Sequence, residues 1–167
     1  MSLDRSTAFA AELGVETIVS VESSLEWTRV VEAAVAKNGR GTELHLLHAD
    51  IGRTGEWGRP VDTAARDRWH LYPMLGWRRL RELGLTPELV LVDGRFRVAC
   101  FCASLIQARP GTVILFDDYT NRRAYHVVES VCPRERMHER MAEFCVPEVV
   151  DYGTVLDLLM AHIHQVD

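Results

Sequence analysis

The chain is 167 residues long, 47% hydrophobic and 26% charged, with a formal net charge of -5 and a pI near 5.8. That length suits one domain with a hydrophobic core, and the mild acidity argues against non-specific nucleic-acid binding, which needs a basic face. No apolar run reaches the roughly 18 to 20 residues of a membrane span and the N-terminus lacks a secretion signal, so the expected compartment is the cytoplasm.

In chain order, Ser6 to Leu13 reads as a short helix closed by Gly14, a residue suited to the left-handed position past a helix end. Thr17 to Val21 follows as a strand that stops on Glu22. Ser23 and Glu26 have capping-box spacing, and Trp27, Val30, Val31, Ala34 and Val35 continue at helical spacing to about Lys37, where Asn38-Gly39 ends the pattern. Thr42 to Ala49 is the next strand and closes on Asp50. The segment from Ile51 to His70 holds Gly52, Gly55, Gly58 and Pro60 beside Trp57 and Trp69; structureless stretches of this length in compact domains are usually functional.

Leu71 to Leu83 is helical, with Gly84 and Pro87 as punctuation. Leu89 to Val92 is a short β-branched run ending at Asp93, and Arg95 to Ala108 is a helix whose apolar side is Phe96, Val98, Phe101, Leu105 and Ile106. Thr112 to Phe116 repeats the strand pattern and ends at Asp117-Asp118-Tyr119. A helix over Arg122 to Val131, a strand over Met141 to Val146 and a tail from Thr154 to His164, with helix favoured over strand, complete the chain. Alternating strands and helices of this kind predict a layered α/β domain with right-handed crossovers.

The four cysteines, Cys100, Cys102, Cys132 and Cys145, lack Cys-x-x-Cys spacing and read as buried structural thiols. The histidines show no metal-site spacing, and His126 alone is kept as a neighbour of a site. Trp57, Trp69, Tyr72 and Trp77 line either a pocket or the core.

Four strands in a row end on an acid: Glu22, Asp50, Asp93 and Asp117. In open parallel sheets ligands sit beyond the carboxyl ends of the strands, where an acid can accept from ribose hydroxyls or from an adenine amino group. The plainer reading is that each acid caps a turn or a helix. In that reading Asp93 pairs with Arg95 or Arg97, and Asp117 or Asp118 with Arg122 or Arg123.

The order of elements, with Glu22 after Val19-Ser20-Val21, Asp50-Ile51 after a strand and Asp93-Gly94-Arg95 after the next, resembles the class I S-adenosylmethionine-dependent methyltransferases. Three stretches are similar to those of small bacterial methyltransferase-like proteins: Asp50-Ile51-Gly52-x-Thr54-Gly55-x-Trp57-Gly58-x-Pro60, Val92-Asp93-Gly94-Arg95-Phe96-Arg97-Val98 and Leu115-Phe116-Asp117-Asp118-Tyr119. The likeness runs over residues 6 to 146. It implies a Rossmann-like three-layer α/β/α sandwich with a mainly parallel sheet, one domain over residues 1–167, and S-adenosylmethionine as cofactor. Glu22 would hold the ribose hydroxyls, Asp50 and Ile51 would flank the adenine, and Asp93 would stand near the methionine end. Asp93, with Asp118 second, is the candidate base toward a small-molecule methyl acceptor.

The family's glycine-rich cofactor loop has no counterpart here. Ser6-Thr7 looks like the pair that follows those glycines, so the reading is an N-terminally truncated fold whose first strand lies upstream of Met1. Weak cofactor binding and an exposed strand edge that favours a homodimer are the expected consequences. Two other readings compete: a non-catalytic binding or assembly module on the same scaffold, and a magnesium-dependent enzyme holding the ion through Asp93, Asp117 and Asp118.

Overall fold

The computed structural model describes residues 6–166. Helices and strands alternate as an α/β chain, in two compact units: one reaches Arg68 and the other begins at Trp69.

The first unit contains α1 (Ser6–Glu12), β1 (Thr17–Glu22), α2 (Leu25–Asn38) and β2 (Glu43–His48). Parallel neighbours need a crossover, and α2 supplies it: β1 and β2 pair in parallel from Thr17 opposite Glu43 to Glu22 opposite His48. The helix-spaced apolar positions do what their period requires. Val31 and Val35 of α2 meet Ala11 of α1, with Ile18, Trp27, Leu44 and Leu46 packed around them. The cap of α2 is Ser24 and not Ser23, since the Ser24 hydroxyl accepts from the Trp27 amide at 3.2 Å. Ser23 is drawn away because its own hydroxyl donates to the carbonyl of Gly58.

The long segment after β2 is ordered by short-range bonds. Thr54 and Pro60 form an antiparallel bridge, and 3-10 turns span Glu56–Gly58 and Arg66–Arg68.

The second unit contains α3 (Leu71–Leu83), β3 (Leu89–Val92), α4 (Arg97–Gln107), β4 (Val113–Phe116), β5 (Arg134–His138), β6 (Met141–Cys145) and α5 (Tyr152–His162). Gly84 ends α3 in the left-handed conformation, φ 66°, its amide returning to Leu80 and Arg81 carbonyls. The sheet order is β3-β4-β6-β5, with β3 and β4 parallel and the other two pairs antiparallel. This sheet is therefore mixed and not mainly parallel, because β5 and β6 are joined by a tight turn at Glu139 and Arg140, which only antiparallel strands allow. The segment before them, where the sequence predicts a helix over Arg122 to Val131, is a 3-10 helix over Arg123–Ser130. The tail is helical, started by Asp151, whose carboxylate accepts from Gly153 and Thr154 amides.

Aromatic side chains build the core of this unit. Phe101 of α4 lies 4.8 Å from Phe144 and 5.9 Å from Phe116, and Phe116 in turn meets Tyr119 and Tyr125. Trp69, Tyr72 and Trp77 are buried as well, which assigns three of the four aromatic candidates to packing. All four cysteines are free, and burial pushes the Cys102 thiol up to about 12 and the Cys132 thiol up to about 11. Among the described residues no helix is long and apolar enough to cross a membrane.

Phe101 is fully buried, so Phe101→Ala should destabilise the chain by about 3–5 kcal/mol. A fall in the urea midpoint checks this, and Phe101→Leu should lose clearly less.

Candidate functional site

In the first unit, the parallel pairing of β1 and β2 brings Glu22 and Asp50 to neighbouring strand exits, with the Ala49 amide donating to the Glu22 carbonyl at 2.8 Å. Glu22 is a fixed acceptor. Its Oε1 receives the amides of Ser23 at 2.7 Å and Ser24 at 2.9 Å. The segment from Arg53 to Val61 folds back as a hairpin, held by Gly55 N–H to Arg59 at 2.8 Å and Val61 N–H to Arg53 at 2.9 Å. Gly58 seats it on the β1 exit: its carbonyl accepts from the Ser23 hydroxyl at 3.0 Å. A Cβ at Gly58, where φ is +69°, would meet Ser23 Oγ at 2.6 Å and Glu22 Oε1 at 3.5 Å. At the hairpin tip Trp57 is 69% exposed and left-handed, φ 60°, a conformation that bulky residues rarely adopt.

Asp50 accepts from the Gly52 amide at 3.1 Å and pairs with Arg68. The Gly52 amide does most to hold its carboxyl below the usual value of 3.8, and the Arg68 charge adds to this against an opposing desolvation. Ile51 is buried.

In the second unit the exits of β3 and β4 converge on one buried guanidinium. Arg97, 3% exposed at its side chain, donates through Nε to the Gly94 carbonyl at 3.0 Å and through Nη1 to the Asp117 carbonyl at 2.8 Å. It also lies 3.5 Å from Asp93 and 3.2 Å from Asp118. The turn that sets it there is tight. Tyr72 packs against Gly94 so closely that a Cβ would stand 2.2 Å from its hydroxyl, which accepts from the Arg95 amide at 3.2 Å. Phe96 is left-handed at the start of α4, φ 53°, so that helix begins two residues later than its sequence pattern.

Two more arginines complete the cluster. Arg140, from the β5–β6 turn, meets Asp117 at 2.7 Å and Asp118 at 3.3 Å, and Arg122 meets Asp118 at 3.5 Å. Asp117 is 2% exposed, and its Oδ1 is buried without a hydrogen-bond partner among the described residues. Arg97 and Arg122 both lie over the Tyr125 ring at 5.7 Å. His126 stacks on Tyr119 at 4.6 Å and bonds its carbonyl, at the margin of this exit.

The crystal structure of a methyltransferase-like protein from Silicibacter pomeroyi DSS-3 matches this chain with a TM-score of 0.78 and 32% sequence identity. The match covers 98% of this chain and 96% of that one. The chain belongs to that methyltransferase-like family. No protein-family model and no curated protein matches it.

In this methyltransferase-like protein Asp93 lies against Arg97 and Asp118 against Arg122, pairings that the plainer reading of the sequence offers, while Asp117 pairs with Arg140 and not with Arg122 or Arg123. Glu22, Asp50 and Ile51 lie together in the first unit; Asp93 and Asp118 share one guanidinium in the second. Arg140 escaped notice in the sequence because β5 is mostly charged and hid the hairpin that delivers it. The available signal was the Met141–Cys145 strand itself, since the charged pair Glu139-Arg140 just before it offers a tight turn. Among the described residues no group of three or more His, Cys, Asp and Glu side chains is placed to hold a metal ion. Asp93, Asp117 and Asp118 are interleaved with arginines instead.

Removing one partner of a buried ion pair leaves the others uncompensated. Arg97→Leu should therefore lower unfolding free energy by about 3–5 kcal/mol, read from urea denaturation. Asp50 has a depressed folded pKa, so its contribution is complete above 3.8 and disappears as the pH falls through the lower folded value. Asp50→Asn should flatten the acid limb of a melting-temperature profile below that pH and leave the neutral limb parallel to that of the parent chain.

Proposed function

We propose that this methyltransferase-like protein binds S-adenosylmethionine at the β1 and β2 exits and acts on a small-molecule acceptor. The observation that carries this reading is the 32% identity to a methyltransferase-like protein over 98% of the chain. The residues present suit a nucleoside. Glu22 is an acceptor oriented by two amides, which fits ribose hydroxyls, and Asp50 one exit away fits an adenine amino group. When bound, the cofactor supplies a methyl group on a sulfonium, already activated for transfer. The protein's share is positioning and, for a protic acceptor, removal of one proton.

In this proposal Asp93, 3.5 Å from Arg97, is the first candidate base, and Asp118, held between Arg97, Arg122 and Arg140, is the second. Asp118 then serves to orient the β4 exit. The single domain, the Rossmann-like three-layer arrangement and the cytoplasmic location belong to the same proposal.

The test is a thermal-shift series with S-adenosylhomocysteine and, separately, magnesium. A ligand at ten times its Kd stabilises the native state by about 1.4 kcal/mol, so millimolar S-adenosylhomocysteine should raise the melting temperature of the parent chain and not of Glu22→Gln. Glutamine keeps the acceptor for the Ser23 and Ser24 amides while losing the charge. A shift with magnesium alone sinks the reading, and calorimetry giving low-micromolar affinity overturns the expectation of weak binding.

A further inference from the structure

The helix α5 is apolar on two faces. Val155 and Leu159 form the inner one and are buried, and the helix packs on α4. The outer face carries Tyr152, Leu156 and Met160, 54%, 47% and 66% exposed, and Val149 shortly before the helix is 86% exposed. A helix apolar on both its inner and its outer side belongs in an interior. All of these residues lie in the second unit.

The spacing of the exposed stripe selects its occupant. Tyr152, Leu156 and Met160 stand four residues apart, the spacing that sets side chains in one row along a helix, with Leu156 at its centre. A row symmetric about its middle residue is self-complementary. Two such helices, antiparallel about a twofold axis, set Leu156 against Leu156 of the second copy and Tyr152 against Met160 of the second copy. The latter is a favourable ring–sulfur contact.

Charge selects the same arrangement. Exposed Glu148 and Asp151 precede α5, whereas His162 and exposed His164 stand at its other end. Antiparallel docking sets the acidic end of each helix beside the histidines of the other and opposes the two helix dipoles; parallel docking would set acid against acid. Asp157, the one carboxylate within α5, lies about 100° round the helix from Leu156 and so falls at the rim.

The area fits as well. Four large side chains exposed to this extent make a patch on the order of 500 Å², at the upper end of what monomers leave bare. A dimer interface takes ~800 Å² from each partner, about 65% of it apolar, which is again ~500 Å².

We propose that α5 is a dimerisation surface on which a second copy of this chain docks antiparallel, with Leu156 at the twofold axis. This is independent of the cofactor reading, which concerns the strand exits.

Sedimentation equilibrium on the full chain should show the mass doubling as the concentration rises through the micromolar range. Leu156→Lys sets two charges face to face at the axis and should weaken the dimer by about a hundredfold, with an unchanged circular dichroism spectrum. Met160→Lys replaces it if that variant does not fold. Cross-linking reads the geometry. With oxidised glutathione, two Leu156→Cys chains should join through one disulfide while two molecules of reduced glutathione are released, above the background set by the free cysteines of the parent chain. Tyr152→Cys should not join to itself, because eight residues of offset separate the pair by ~12 Å, but it should join to Met160→Cys. The proposal is overturned by a chain that stays monomeric at every concentration, by a dimer that the lysine variant leaves intact, or by Tyr152→Cys joining to itself as readily as Leu156→Cys.

Discussion

The Arg97 guanidinium has five donors in a rigid fork, and the second unit uses that fork to tie together two strand exits and the start of a helix. It reaches the Gly94 and Asp117 carbonyls and the carboxylates of Asp93 and Asp118 at once. Carbonyls beyond strand ends have no ladder partner, and this fork satisfies two of them, at Gly94 and Asp117. The left-handed residues on either side, Phe96 and Asp118, are tolerable because the groups around them are fixed from several directions. Lysine could not replace it, since a single ammonium cannot span carbonyls on two strands.

The first unit solves the same problem with smaller means. Its β1 exit is organised by a carboxylate on two amides and by a hairpin whose glycine fits where no Cβ can. This leaves Trp57 exposed at the tip while Gly58 is buried beside it. Both units of this methyltransferase-like protein thus concentrate polar groups at the carboxyl ends of parallel strands, where such folds keep their ligands. The scaffold behind them is ordinary packing: valines and alanines in one unit, interlocked phenylalanines in the other.

Much of this was legible before any coordinates. The apolar runs Thr17 to Val21 and Leu89 to Val92 declared strands, and the helix from Leu71 to Leu83 was bounded by its period and by Gly84, since both depend on near neighbours in the chain. The motifs around Asp50, Asp93 and Asp117 also declared the family. β5 is not marked in the sequence because three of its five residues are charged and four of the five are exposed, so no apolar alternation signals it. The cap of α2 was misplaced by one residue, because Ser23 and Ser24 are locally equivalent and a carbonyl 35 positions away decides between them.

The sequence by itself determined the alternation of elements, the family and the placing of acids at strand exits, all of which follow from local period and from residue types in order. Only the tertiary structure decided what those acids do. Whether Asp118 is an available base or a restrained ligand of arginine depends on Arg97, Arg122 and Arg140, which arrive from α4, the 3-10 helix region and the β5–β6 turn. Pairing energies of that kind depend on distance and burial, and neither is written in the spacing of residues along the chain.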